Sequence, residues 1–286
     1  MEEQIQRPVL AVTDFTDRGA CAVLHAIQLA DTLHRDLYIP HVIDDNSKAL
    51  FKSKKPEAAI NEKLTGIAKE IKEKHPAIKV KGITLDGCPC EVINQTSHEI
   101  DAVFIVVGIH GRGDVQHYMT PKYATELIKK SRVPYIVVQQ KPPVVNQYKK
   151  VILSVDYAKE NKEKALWGAF FSKRYGSLVY MTMFDEDDEW IRHKSENNLK
   201  FNEKILKEIS AEYRIHRLLK THKRIEDASV AQAAFLEAGL LIILNTRRYN
   251  IRDYLFGPAE RKIIANKEQL PVMCINSRED LYLPCL

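Results

Sequence analysis

A short apolar run that ends on aspartate, Val9-Leu-Ala-Val-Thr-Asp14, recurs 142 positions later as Val151-Ile-Leu-Ser-Val-Asp156. A proline entering a closing apolar run, Pro134-Tyr-Ile-Val-Val138, recurs 137 positions on as Pro271-Val-Met-Cys-Ile-Asn276. A repeat of that length is a whole domain, since solenoid units run to only roughly 20–50 residues. At 286 residues the chain has room for two such domains at ~100–200 residues each.

Within the first copy strand and helix alternate. Arg7 to Asp14 forms a strand, and Thr16 or Asp17 then offers an N-cap. Ala20, Val23, Leu24, Ile27 and Ala30 follow at helical spacing. Leu37 to Ile43 is the next strand. Pro40 inside it predicts an edge position or a bulge, because proline donates nothing to a ladder. Lys48 to Lys74 is a long charged helix with Ile60, Leu64, Ile67 and Ile71 on one stripe. Ile78 to Leu85 alternates as a strand, and Gly87-Cys-Pro-Cys-Glu-Val-Ile93 turns into another helix. Thr120 to Lys130 is helical and Val133 to Val138 closes the copy. Lys141-Pro-Pro-Val-Val-Asn146 breaks the pattern, since adjacent prolines extend neither a helix nor a central strand. The expected domains are residues 1–140 and 150–286, joined by 141–149. In the second copy Ala165, Leu166, Ala169 and Phe170 repeat the helical stripe. Leu178 to Phe184 and Gly239 to Asn245 repeat the strands. This alternation predicts an α/β fold with parallel sheets covered by helices on both faces.

One corner stands out chemically. Val103-Phe-Ile-Val-Val-Gly108 is an apolar run without alternation, as in a strand buried on both faces. It feeds Ile109-His-Gly111-Arg-Gly113-Asp114, whose glycines permit a sharp turn and close approach of an anion to backbone N–H groups. The alternative is a tight βα turn with no ligand. No Gly-Lys-Ser/Thr follows, so this is not a P-loop. The position near the fourth strand also excludes a dinucleotide fingerprint. The adhesion tripeptide Arg112-Gly113-Asp114 is coincidental in a chain whose first residues, Met1-Glu-Glu-Gln-Ile-Gln-Arg7, lack a signal peptide's pattern. A cytoplasmic protein is expected.

Hydrophobic content of 45% and charged content of 28% suit a soluble globular chain, and no apolar stretch approaches the ~20 residues of a membrane span. Five scattered cysteines do not make a disulfide framework. Cys88-Pro-Cys90 is too closely spaced for a zinc knuckle. The net charge of +5 is dispersed rather than striped with aromatics, which argues against nucleic acid. Asp185-Glu-Asp-Asp-Glu189 reads as a solvated loop, without the glycine of a calcium loop.

Taken together, these motifs resemble the universal stress protein family in tandem. They are the strand ending in Asp14, the second strand ending near His41-Val42, and Gly87-Cys-Pro89 before a helix. Gly108-x-x-Gly111 after a strand and a final strand behind Pro134 complete the set. The resemblance implies two open five-stranded sheets, mostly parallel, in an adenine-nucleotide α-hydrolase-like architecture. It also implies pairing of the two domains through their last strands, and it leaves a homodimer open. Protein partners are expected but unnamed.

One branch of that family binds ATP through Gly-x-x-Gly, nine residues, then Gly-Ser/Thr. By that resemblance Thr13, Asp14, Val42, Gly108, Gly111, Arg112 and Gly113 form a cofactor site for ATP or another adenine nucleotide, with or without magnesium. Pro121-Lys122 stands where Gly-Ser is required, so a backbone donor is lost; Lys122 does not match a hydroxyl in geometry, but its ammonium can compensate as a charge on the triphosphate. The second copy departs further. Asn245-Thr-Arg-Arg248 replaces the glycines and Gly257-Pro258 is the only remnant of the closing pair, so no tight ATP binding is expected there. The main reading is thus a nucleotide-binding stress-response module acting by protein contact. The alternatives are a nucleotide-free scaffold and a slow ATPase using Asp14 with His110 or His117. No Ser-His-Asp or Cys-His signature supports other catalysis.

Overall fold

The computed structural model describes residues 7–43, 56–110, 119–158, 161–220, 222, 224–245 and 259–276. The chain divides into two compact units, 1–143 and 144–286. In unit 1 the elements run β1 (Val9–Val12), α1 (Asp17–Leu33), β2 (Leu37–Ile43), α2 (Pro56–Lys74), β3 (Val80–Asp86), α3 (Pro89–Glu99), β4 (Phe104–Gly108), α4 (Pro121–Lys130) and β5 (Tyr135–Val138). Its strands lie in the order β3-β2-β1-β4-β5 with every pair parallel. The apolar runs of β1, β4 and β5 are buried throughout, as a sheet covered on both faces requires. β3 is half-exposed, which is why it alternates. Right-handed crossovers place α1 and α2 on one face and α3 and α4 on the other. Ile60, Leu64 and Ile71 of α2 are buried as their spacing predicts, and Ile67 is half-buried. Residues 48–55 of that expected helix lie outside the described residues.

Pro40 does not lie at an edge. β2 pairs with β1 on one side and with β3 over its whole length on the other. Pro40 accepts from the Thr13 N–H at 3.0 Å, so its side without an N–H faces β1. The regular β1–β2 pairing stops there, after Leu10 and Tyr38. The ladder loses little, and a central strand tolerates the proline.

Unit 2 repeats the plan with β6 (Lys150–Ser154), α5 (Asn161–Tyr175), β7 (Leu178–Phe184), α6 (Glu189–Glu208), β8 (Tyr213–Leu218), α7 (Ile225–Leu236), β9 (Leu240–Asn245), α8 (Ala259–Ile264) and β10 (Val272–Asn276). The order is β8-β7-β6-β9-β10, again parallel. Each unit is therefore an α/β domain of five parallel strands. The acidic run is not only a solvated loop: Asp188 caps α6 by accepting from the Ile191 N–H at 2.9 Å. Both ends of the proline segment are anchored. The Lys141 carbonyl accepts from His25 Nε2 at 3.1 Å and from Cys21 Sγ at 3.2 Å. At the other end Gln147–Lys149 forms a 3₁₀ turn whose Tyr148 packs on Phe171 and Tyr175.

Candidate functional site

β1 and β4 are neighbours, yet the chain leaves β1 toward β2 and leaves β4 toward β5. The carboxyl ends of these two strands form the switch point where open α/β sheets hold ligands. Val12 pairs with Val107, so Thr13 and Asp14 stand beside Gly108 and His110.

Asp14 is tightly held. One carboxylate oxygen accepts from the Thr16 N–H at 3.0 Å and from the Thr16 hydroxyl at 2.5 Å. The other lies 3.4 Å from His110 Nε2, with the aspartate side chain 10% and the histidine 1% exposed. Thr16 also caps α1, accepting from the Gly19 N–H at 3.3 Å. This sets the carboxylate against the positive end of the helix. Gly19 makes that approach feasible: a Cβ there would lie 2.6 Å from Asp14 Oδ1. Phe15 takes the left-handed conformation with φ 61°, and its N–H donates to Thr13 Oγ1 at 3.1 Å. Its ring stacks on His41 at 4.3 Å and carries the Lys63 ammonium 4.4 Å from its centroid. His41 Nδ1 lies 2.8 Å from the Thr13 carbonyl, which fixes the proton on Nδ1.

The predicted residues separate into groups. Thr13, Asp14 and Gly108 come together, with His110 added. Val42 is fully buried near the end of β2, on the other side of β1. Gly108 has a packing reason for its bareness, since a Cβ would lie 2.1 Å from the Arg18 carbonyl oxygen. Gly111, Arg112, Gly113 and His117 lie outside the described residues. The His110 N–H donates to the Met119 carbonyl at 3.0 Å, so the chain departs and returns at one point. It returns onto the head of α4, where Thr120 is the N-cap and accepts from the Tyr123 N–H at 3.3 Å. Pro121 opens the helix and Lys122 is exposed. The hydroxyl at this helix end belongs to Thr120, which the motif comparison passes over. The Thr120-Pro121 pair, a cap followed by proline at the first helical position, is the signal that points to it. Gly19 was also missed, and an isolated glycine in a helical pattern is its flag.

The corresponding corner of unit 2 is built differently. Asp156 accepts from the Ala158 N–H at 2.8 Å and faces Lys164 Nζ at 3.9 Å. Lys164, 2% exposed, donates to Ser154 Oγ at 3.0 Å. Asn198 donates to the carbonyls of Asp156 and Ala158 at 2.7 and 2.8 Å. Asn245 is buried and donates to Asn276 Oδ1 at 2.7 Å; 246–248, 257 and 258 lie outside the described residues. Of the close cysteine pair, Cys88 is exposed and Cys90 buried, where desolvation pushes its thiol up. Among the described residues no cluster of metal-ligating side chains forms and no helix is long and apolar enough to cross a membrane.

Comparison with known proteins agrees with this geometry. The universal stress protein family model matches residues 6–139. A universal stress protein of Methanocaldococcus jannaschii is 25% identical over 158 residues, covering 47% of this chain and 96% of its own. A universal stress protein structure from Archaeoglobus fulgidus aligns over 96% of this chain and 98% of its own, with 17% identity and a TM-score of 0.72. Another from Archaeoglobus fulgidus, solved in complex with dAMP, aligns over 46% of this chain and 98% of its own at 19% identity, with a TM-score of 0.37. Residues 6–139 belong to the universal stress protein family, and the whole chain has its fold.

Proposed function

We propose that unit 1 is an adenine-nucleotide-binding module of a stress-response protein, and that it acts through protein contacts. The observation that carries this reading is the Asp14 corner: a carboxylate immobilised by Thr16 and His110 at the switch point of the sheet. A carboxylate so placed accepts from paired ribose hydroxyls. In this proposal Thr13 and Val42 flank the nucleoside. The loop from Gly108 through Gly111, Arg112 and Gly113 meets the phosphates, and the head of α4 with Thr120 and Lys122 closes on them. Magnesium belongs on the phosphates rather than on Asp14, whose oxygens already accept from Thr16 and face His110.

For unit 2 the scaffold reading is the stronger one. Lys164 already sits beside Asp156 and Ser154, so the corner holds its own cation. Hydrogen exchange with a non-hydrolysable ATP analogue at millimolar concentration tests both halves. The expected result is protection at β1, β4 and α4 with β6 and β9 unchanged. No protection in unit 1 would overturn the nucleotide reading.

A further inference from the structure

Two thiols flank one proline at the start of α3, Cys88-Pro89-Cys90, and the nucleotide reading uses neither. Cys88 is the N-cap of this helix. Cap positions favour serine, threonine, aspartate or asparagine, whose side chains accept from the orphan N–H groups of the first turn. The Cys88 side chain makes no such bond, and it is exposed. Tyr123, in the first turn of α4, does that work instead. Its hydroxyl accepts from the Cys90 N–H and donates to the buried Cys90 thiol. Asn94 strengthens the tie between the helices, donating to the carbonyls of Cys90 and Leu127 at 3.0 Å each. Capping therefore does not account for a thiol at Cys88.

The spacing suits a bond between the two sulfurs. Pro89 is already helical, so the Cα atoms on either side of it lie about 5.4 Å apart, within the ~4.4–6.8 Å that a disulfide spans. A metal is the poorer fit, because among the described residues no group of three His, Cys, Asp or Glu side chains gathers. We propose that Cys88 and Cys90 form a reversible dithiol–disulfide pair, oxidised by a low-molecular-weight disulfide, whose closure loosens α4. The exposed Cys88, as its thiolate, attacks the oxidant, forms a mixed disulfide and expels one small thiolate. The Cys90 thiol then attacks the Cys88 sulfur. The bond within the chain forms, the mixed bond breaks, and the Cys90 proton leaves with the second small thiol. Both protein thiols are thus oxidised and one small disulfide is reduced to two thiols. Turned toward Cys88, the Cys90 sulfur no longer receives the Tyr123 hydroxyl, and α4 loses part of its hold on α3.

Glutathione disulfide, added to the full chain, is the probe. Mass mapping of the tryptic fragment running from Gly82 to Arg112 should show both thiol hydrogens lost with no glutathione attached, and dithiothreitol should restore them. Cys90→Ser should halt the reaction at a glutathione adduct on Cys88, and Cys88→Ser should leave the fragment unmodified. Hydrogen exchange across α4 should be about fivefold faster in the oxidised chain, the worth of one hydrogen bond. Tyr123→Phe should show that faster exchange while still reduced. An adduct that persists on Cys88 with Cys90 present, a fragment that does not react, or oxidation that leaves exchange in α4 unchanged would each overturn the proposal. No nucleotide enters these measurements, so their outcome is separate from that of the ATP-analogue experiment.

Discussion

Two strands of this chain, β1 and β6, are each followed two residues on by an aspartate, and the two aspartates keep different company. Asp14 is surrounded by hydroxyl, backbone N–H and a buried histidine. Asp156 faces a lysine with almost no solvent exposure. The three buried histidines among the described residues, His25, His41 and His110, all belong to unit 1. Lys164 is the buried lysine among the described residues, and it belongs to unit 2. One fold has thus resolved the same feature, a carboxylate at the carboxyl edge of the sheet, with hydroxyl, backbone and imidazole groups in one copy and a lysine ammonium in the other. The difference teaches that the strand-terminal acid belongs to the scaffold, while its neighbours decide whether the corner can accept a ligand.

The largest effects should come from the glycines that let each unit close. A Cβ at Gly239 would lie 1.5 Å from the Gln147 carbonyl oxygen, as one at Gly108 would lie 2.1 Å from that of Arg18. Gly108→Ala and Gly239→Ala should each destabilise their own unit by about 3 kcal/mol, near the upper end of overpacking costs. Denaturant titration followed by exchange at β4 and β9 measures this. If Gly108→Ala left stability intact and only weakened ATP binding, the glycine would belong to the ligand rather than to packing.

Acid should divide the units next. Burial depresses His25 from its ordinary 6.5 to about 4, partly offset by its bond to the Lys141 carbonyl. The unfolded chain takes up this proton below pH 6.5 and the folded chain does not, so stability is full above that pH and declines as pH falls toward 4. The loss should reach roughly 3 kcal/mol by pH 4, carried by unit 1 and removed in His25→Gln. An acid dependence unchanged in that variant would assign the loss elsewhere.

The aspartates themselves come third. Asp156→Asn leaves Lys164 buried without a counter-charge and should cost about 2 kcal/mol, below the value for fully buried pairs because Asp156 is 29% exposed. Lys164→Met added to it should restore most of that. Asp14→Asn should cost under about 1 kcal/mol, since the amide oxygen can still accept from the Thr16 N–H and hydroxyl. Equal costs at the two sites would erase the distinction. On binding rather than stability, Asp14→Asn should weaken ATP about tenfold, or ~1.4 kcal/mol, with Asp156→Asn leaving affinity unchanged.

Much of the fold was legible because fully buried strands announce themselves as apolar runs. Val9 to Val12, Phe104 to Val107 and Leu240 to Leu244 need no context. β8 was not legible: Arg214 and Arg217 interrupt Tyr213 to Leu218, whose residues are half-buried or exposed and none buried. Its polar face suits the outermost strand of its unit but resembles a loop in sequence. Pro40 misled for the opposite reason, since only the shortness of the β1 pairing makes a central proline harmless. At the site, Asp14 and Gly108 were visible from their places after apolar runs. Lys164 was not, because its role depends on how α5 settles onto β6, and nothing local in Asn161-Lys-Glu-Lys164 separates a buried lysine from its exposed neighbour Lys162.

A counter-charge on a tether never dilutes. Lys164 is delivered to Asp156 at the same effective concentration in every cell and at every moment, whereas anything that reaches Asp14 must come from solution. On the readings proposed for the two units, the chain therefore pairs a corner open to a dissolved ligand with one whose place is already held by the protein's own cation.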